Sequence, residues 1–204
     1  MIAETKTTYH IEEEEQLRAN MYELIGGVMR AEPNNDIINN IAKLDGDDSE
    51  MGRAFATLAK LASALTPETI RDEYVKLFIG VGRGELLPFA SYYLTGFLNE
   101  KPLANLRSDM AAIGIARQDG VKEPEDHIAS LMDIMAGLIR GEFGRPYSLD
   151  EQASFFRKHI EKWAGLLFRD IEAAKNAVFY APVGTIGRVF MDIESQAFNM
   201  DAKG

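Results

Sequence analysis

Apolar side chains recur every three or four residues along most of this chain, and nowhere do they alternate singly between turn signals. A repeat near the helical period gathers them into one stripe per helix, so the pattern predicts an all-α fold. Leu17, Met21, Leu24, Ile25 and Val28 form the first stripe, behind the solvating run Glu12 to Glu15. Gly26-Gly27 within it weakens the helix by about 1 kcal/mol per glycine relative to alanine. Small residues there would let a second helix approach closely. AEPNND ends this element, and a short polar region rich in Asp and Asn follows.

Residues 49 to 64 read as a second helix. Thr66-Pro67 supplies an N-cap and first position for a third, with Ile70, Tyr74, Leu77 and Phe78 on one face. Gly80-Val81-Gly82-Arg83-Gly84 stops that helix. Pro88 is expected to open the next one and Pro102 another. Ser148 with Glu151 makes a capping box for a long helix carrying Leu149, Ala153, Phe156, Ile160, Trp163 and Leu167. Pro182 is expected to open the last helix, with the stripe Ile186, Val189, Phe190, Ile193 and Ala197. The expectation is a single all-α domain over residues 1–204, a bundle of about eight to nine helices. Its weakest joint is the loop from Ala116 to Glu123, where Gly120 interrupts the pattern.

Charge and composition narrow the function classes. A hydrophobic fraction of 46% suits a globular core, and a formal net charge of −10 disfavours nucleic acid or anionic lipid as the main partner. There are no cysteines, which removes disulfides, thiolate catalysis and sulfur-ligated metals. The start MIAETKTTYHIEEEEQ lacks both a basic region and an apolar run, so no signal peptide is expected. No segment approaches the ~20 apolar residues of a membrane span. A cytoplasmic protein without a membrane span is expected.

The stretch EPEDHIASLMDIM, residues 123 to 135, concentrates ionisable groups at the start of an amphipathic helix. Its local reading is a helix start: Glu123 as N-cap, Pro124 as first helical residue, and Glu125 and Asp126 as first-turn anions worth ~0.3–1 kcal/mol each against the helix dipole. With Ile128, Leu131, Met132, Met135 and Ile139 as the buried face, that helix would point Asp126 outward and leave His127 at the margin, half-exposed. A metal site lacks a partner four residues from His127, where Leu131 stands, and no metal is expected. A catalytic carboxylate–histidine pair is equally unsupported, because adjacent helical residues diverge by about 100°. The glycine cluster 80–84 has GxGxG spacing after a helix and not after a strand, and no P-loop occurs. A nucleotide-binding enzyme or switch using this loop is the alternative function class; a helical adaptor without ligand preference is another.

EYVKLFIGVGRGELLPFASYYLTG, residues 73 to 96, followed some thirty residues later by EPEDHIASLM, resembles the TorD-type family of cytoplasmic molybdoenzyme chaperones, also called redox enzyme maturation proteins. The first family motif is matched by Tyr74, Leu77, Phe78, Gly80, Gly82, Pro88, Ser91 and Tyr93. The second is matched by Glu123, Pro124, Asp126 and His127. Val81 departs from a proline common in the family's glycine loop, and no tryptophan lies near the first motif.

The resemblance implies a binding protein, not an enzyme, that needs no cofactor. It would hold the twin-arginine signal peptide and the apo form of a molybdopterin-containing oxidoreductase, formate-dehydrogenase-like or another respiratory one, and delay its export. Asp126 is expected as the main arginine acceptor with Glu123 second, because carboxylates receive guanidinium bidentately. His127 would adjust the charge near neutral pH, its type titrating around ~6.5. Phe78, Phe89, Tyr92 and Tyr93 would line a groove for the apolar part of the peptide, so residues 73 to 98 and 123 to 140 should build one surface. Family members exchange helices between protomers, and a homodimer of that kind would hinge at Ala116 to Glu123.

Overall fold

The computed structural model describes residues 9–116 and 123–201. Among these residues the chain forms ten α-helices: α1 Glu13–Arg30, α2 Asn35–Ile41, α3 Glu50–Ala64, α4 Pro67–Tyr74, α5 Ala90–Thr95, α6 Lys101–Ala112, α7 Ile128–Arg140, α8 Leu149–His159, α9 Ala164–Ala173 and α10 Tyr180–Asp201. A π-helical turn over Val75–Ile79 continues α4, and no strand is present among the described residues. The all-α expectation is therefore met, with more and shorter helices than expected. The anticipated hinge lies outside the described residues apart from its ends, Ala116 and Glu123.

Two local signals act as the sequence predicts. Thr66 caps α4 at Thr69 N with Pro67 in the first turn, and Ser148 with Glu151 closes the capping box of α8. Ser49, expected as the first residue of the second helix, is instead its N-cap, its side chain accepting from Gly52 N. Other boundaries move. The polar segment after α1 folds as α2, because the Asn34 side chain accepts from Ile37 N while Ile38 and Ile41 are buried. The long helix after Ser148 is two helices, broken between His159 and Ala164. α10 begins at Tyr180, two residues before Pro182, and α5 begins at Ala90, two after Pro88.

α1 lies along α7, while α10 packs on α9 and α3. The close approach of α1 to α7 uses Gly26, where a Cβ would stand 3.2 Å from Met132 Cβ and 3.3 Å from the Ala129 carbonyl. One continuous core runs through these helices, from Tyr22 and Met29 through Met132 and Trp163 to Phe190. The stripes are rotated from the expected ones. Leu17, Leu149 and Ile193 face solvent, and the buried positions of α1 are Ala19, Tyr22, Ile25, Gly26, Val28 and Met29.

On α10 the buried residue beside Ile193 is a carboxylate, Glu194. Arg18 donates to it bidentately at 2.8 and 2.7 Å, and the Tyr22 hydroxyl adds a third bond at 2.6 Å. A buried charge needs such pairing to offset desolvation. Apolar periodicity alone cannot register a paired charge as interior.

Candidate functional site

The two motifs meet by exchanging helix caps. α5 starts after Phe89, an N-cap residue whose side chain cannot accept a hydrogen bond, so the orphan amides of its first turn need acceptors from elsewhere. Asp126 provides both: its carbonyl accepts from Ala90 N at 3.0 Å and its Oδ2 from Ser91 N at 2.8 Å. In return the Pro88 carbonyl accepts from Ile128 N at 2.9 Å, at the first residue of α7. Phe89 and His127 pair as an isolated antiparallel bridge, with their rings 5.0 Å apart in an edge-to-face arrangement. The expected proximity of residues 73 to 98 and 123 to 140 is thus realised by backbone pairing.

This geometry corrects the expected start of α7. Glu123 is not its N-cap and Pro124 is not its first residue. Residues 124–127 form a turn closed by His127 N on the Pro124 carbonyl at 3.2 Å, and His127 caps the helix through Nδ1, which accepts from Ala129 N at 3.1 Å. The helical wheel therefore misplaces the side chains before Ile128. Asp126 points inward and is fully buried, as is Ser91. Glu125 is buried too and accepts from Arg107 Nε and Nη2 at 3.0 and 2.8 Å, across to α6. Asp126 Oδ1 and Ser91 Oγ are buried without a hydrogen-bond partner among the described residues.

His127 is also corrected. It is only 3% exposed, and burial, helped by the nearby Arg30 charge, lowers its pKa to about 4. Its capping role points the same way, because protonating Nδ1 would forfeit the bond from Ala129 N. The ring is neutral near neutral pH and does not tune local charge there.

Two cavities flank the bridge and share no lining residue. One, of about 290 Å³, gathers Tyr74, Phe78, Pro88, Phe89, Glu123 and His127 from both motifs. Its remaining wall comes from Arg30, Ala31, Glu32 and Ile79. Glu123 is exposed there, and partial desolvation raises its carboxyl pKa. The Tyr74 hydroxyl is shifted upward by burial and then by the Glu123 and Glu32 carboxylates. The other cavity, of about 520 Å³, lies among α5, α6 and α8 and is lined by Ala90, Asp126, Asp109 and His159 among others. There Asp109 Oδ2 pairs with His159 Nε2 at 2.8 Å and Lys158 Nζ at 3.3 Å.

The remaining expected residues sit apart from both. Tyr93 lies against Trp163 with ring centroids 5.6 Å apart, and its hydroxyl donates to Asp170 at 2.8 Å. Tyr92 carries the Arg83 guanidinium over its ring at 4.9 Å, bonded to its hydroxyl. Pro124 is half-buried in the turn before His127. The glycine loop itself turns at Gly80, whose φ of +61° and 2.0 Å clearance from the Arg83 carbonyl admit no side chain.

Sequence reasoning missed Arg30 and Glu32, which belong to neither motif. It also missed Glu73, one residue before the first motif tyrosine. The Glu73 carboxylate accepts from Val178 N, Phe179 N and Tyr180 N at 2.8, 3.0 and 2.8 Å, capping α10 from α4. The available signal was the absence of Ser, Thr, Asp or Asn before either Ala90 or Tyr180. A helix start flanked by apolar residues needs a remote acceptor.

Comparison with known proteins gives concordant results. Residues 44–169 match the family model described as nitrate reductase delta subunit. A chaperone protein TorD of Vibrio cholerae serotype O1 is 32% identical over 98 residues, covering 45% of this chain and 44% of that relative. A TorD of Vibrio atlanticus is 26% identical over 134 residues, 61% of each chain. This chain thus spans about half the length of the curated relatives it matches. A crystal structure described as a redox enzyme maturation protein from Archaeoglobus fulgidus superposes with a TM-score of 0.61 at 19% identity, covering 92% of this chain and 99% of that one. At that identity the likeness establishes the fold.

Proposed function

Because the chain belongs to the nitrate reductase delta subunit family and has TorD chaperones among its relatives, we propose that it is a chaperone for the maturation of a molybdopterin-containing oxidoreductase. In this reading it acts in the cytoplasm, holds the twin-arginine signal peptide and the apo form of its client, and delays export while the cofactor is inserted. The client is formate-dehydrogenase-like or another respiratory molybdoenzyme. The role is binding, not catalysis. Among the described residues no helix is long and apolar enough to cross a membrane, and no group of three His, Cys, Asp or Glu could hold a metal.

The observation that carries the proposal is the cap exchange between Pro88–Ser91 and Asp126–Ile128. It fixes aromatic side chains of the first motif beside a carboxylate of the second, in a cavity open to solvent. A cationic, partly apolar peptide suits that surface. The net charge of −10 would speed its encounter, and screening beyond ~8–10 Å in physiological salt would weaken that long-range attraction. Burial of the apolar part depends on area and would persist at high salt.

The test is calorimetric titration of the full chain with twin-arginine and twin-lysine peptides at two salt concentrations, with and without chelator and GTP. The expected result is tighter binding of the arginine form, weakened by salt and unaffected by either additive. Binding that requires GTP would instead favour a nucleotide switch at residues 80–84.

A further inference from the structure

The 290 Å³ cavity holds a carboxylate that neither motif contains. Glu32 stands in the turn between α1 and α2, exposed, and forms no ion pair or hydrogen bond among the described residues. We infer that this cavity is the arginine subsite of the client-binding surface, that Glu32 is its specificity-determining residue beside Glu123, and that Asp126 positions the site without touching ligand. The inference rests on the chaperone reading and names which group of the client enters and what receives it.

The walls suit a guanidinium. Tyr74 and Phe78 stack obliquely with centroids 5.1 Å apart, and Phe89 and His127 form a second pair at 5.0 Å. Aromatic faces attract a flat, weakly hydrated cation, and two carboxylates from different elements match the fork of a guanidinium better than the point charge of an ammonium. His127 is held neutral by burial, so it does not repel an entering cation. Arg30 is the one cationic wall residue among the described residues, and it is engaged by Asp133 of α7. Glu32 and Glu123 also reinforce the upward shift of the Tyr74 hydroxyl, which places both within electrostatic reach of one point on the wall. The assignment places one arginine of the pair in this cavity and the second outside it.

Asp126 is not the acceptor of this cavity, although its Oδ1 lacks a hydrogen-bond partner among the described residues. It is fully buried, lines the other cavity, and spends its carbonyl and Oδ2 on the α5 amides. Its effect on binding passes through the position of Phe89 and His127.

The experiment titrates the full-length wild-type chain and Glu32→Gln with a synthetic peptide carrying two adjacent arginines followed by an apolar segment. Two further peptides replace one arginine or the other by citrulline, its neutral isostere. Glu32→Gln is expected to weaken the parent peptide by about tenfold or more, the range for a lost bond to a charged group. One citrulline peptide should show no further loss with Glu32→Gln, because its neutral side chain occupies the cavity; the other should show the full loss. The melting transition should be unchanged, since Glu32 is exposed and unbonded.

Wild-type binding with an unaffected Glu32→Gln, or equal losses with both citrulline peptides, overturns the cavity assignment and leaves the chaperone reading standing. A wild-type chain that ignores the parent peptide overturns both.

Discussion

α7 and α8 both begin beside acidic residues, yet their starts are built differently. α8 carries its own cap: the Ser148 side chain accepts from Glu151 N, and Glu151 returns a bond to Ser148 N at 2.8 Å. All of that lies within four residues and at the surface. The start of α7 is tied to α5, with the Pro88 carbonyl on Ile128 N and the Asp126 carboxylate on Ser91 N, thirty-five positions away in the chain. The difference teaches where function can reside. A self-contained cap fixes one helix, whereas an exchanged cap fixes two helices relative to each other and holds Phe89 and His127 together on the wall of the 290 Å³ cavity. Glu73 at the start of α10 belongs to the second kind.

If this comparison holds, the exchanged caps should be costly to remove and the local one cheap. The largest effect is expected for Glu73→Ala, which leaves three amide donors at the α10 start without their acceptor, two of them on buried residues. Each unsatisfied buried donor costs ~1–3 kcal/mol, so a loss on the order of 4 kcal/mol in urea unfolding is expected. A loss below about 1 kcal/mol would show that water or rearrangement replaces the carboxylate readily.

Asp126→Ala comes next. The outward orientation read from the helical wheel predicts only the ~0.3–1 kcal/mol of a dipole interaction. The buried bond to Ser91 N raises the expectation to about 2–3 kcal/mol. Asp126→Asn, which keeps an oxygen for Ser91 N, should recover most of it. Peptide affinity should follow the same order, because the carboxamide preserves the position of Phe89. If Asp126→Asn folds normally yet loses binding as completely as Asp126→Ala, Asp126 contacts the ligand and the positioning role fails.

His127 allows the comparison to be made by pH alone. Its folded pKa of about 4 lies below the unfolded value of about 6.5. Between those values the unfolded chain binds the proton and the folded chain does not, so stability falls as pH drops through this window and the contribution is complete above it. At pH 5 the deficit relative to pH 8 is about 2 kcal/mol. His127→Asn retains a capping side chain without a titrating ring, so its stability should lose that part of the pH dependence. His159, also lowered by burial despite its Asp109 partner, is unaltered in both proteins, so its contribution cancels in their difference.

The legibility of the sequence divides along the same line. Caps formed within four residues, at Thr66 and Ser148, could be read directly, because donor and acceptor are neighbours in the chain. The all-α class followed from periodicity. The start of α7 was misread because Glu123-Pro124 imitates a local start, while the operative cap is the imidazole of His127, a residue itself bridged to Phe89. The motif residues were found by resemblance, but their division between a solvent-open cavity and a buried clasp was not, since inward or outward orientation depends on backbone pairing over long range. Glu32 left no trace at all. It lines the same cavity as Glu123 because α1, which it follows, packs along α7.

The smallest effect is expected at the local cap itself. Ser148→Ala should cost about 1 kcal/mol, within the ~0.5–2 kcal/mol typical of an N-cap serine. The site is exposed, so the freed Glu151 amide is solvated once the hydroxyl is gone. The Glu151 carboxylate would still accept from Ser148 N, a backbone donor that survives the substitution, and keep its bidentate pair with Arg145 at 2.6 and 2.9 Å. Surface pairs of this kind contribute ~0–1 kcal/mol, so they neither rescue the helix nor enlarge the loss. Since no α8 residue lines the 290 Å³ cavity among the described residues, peptide affinity should not change. A matched fall in stability and affinity for Ser148→Ala would mean that loosening any helix start opens the site, and the distinction between local and exchanged caps would then carry no functional weight.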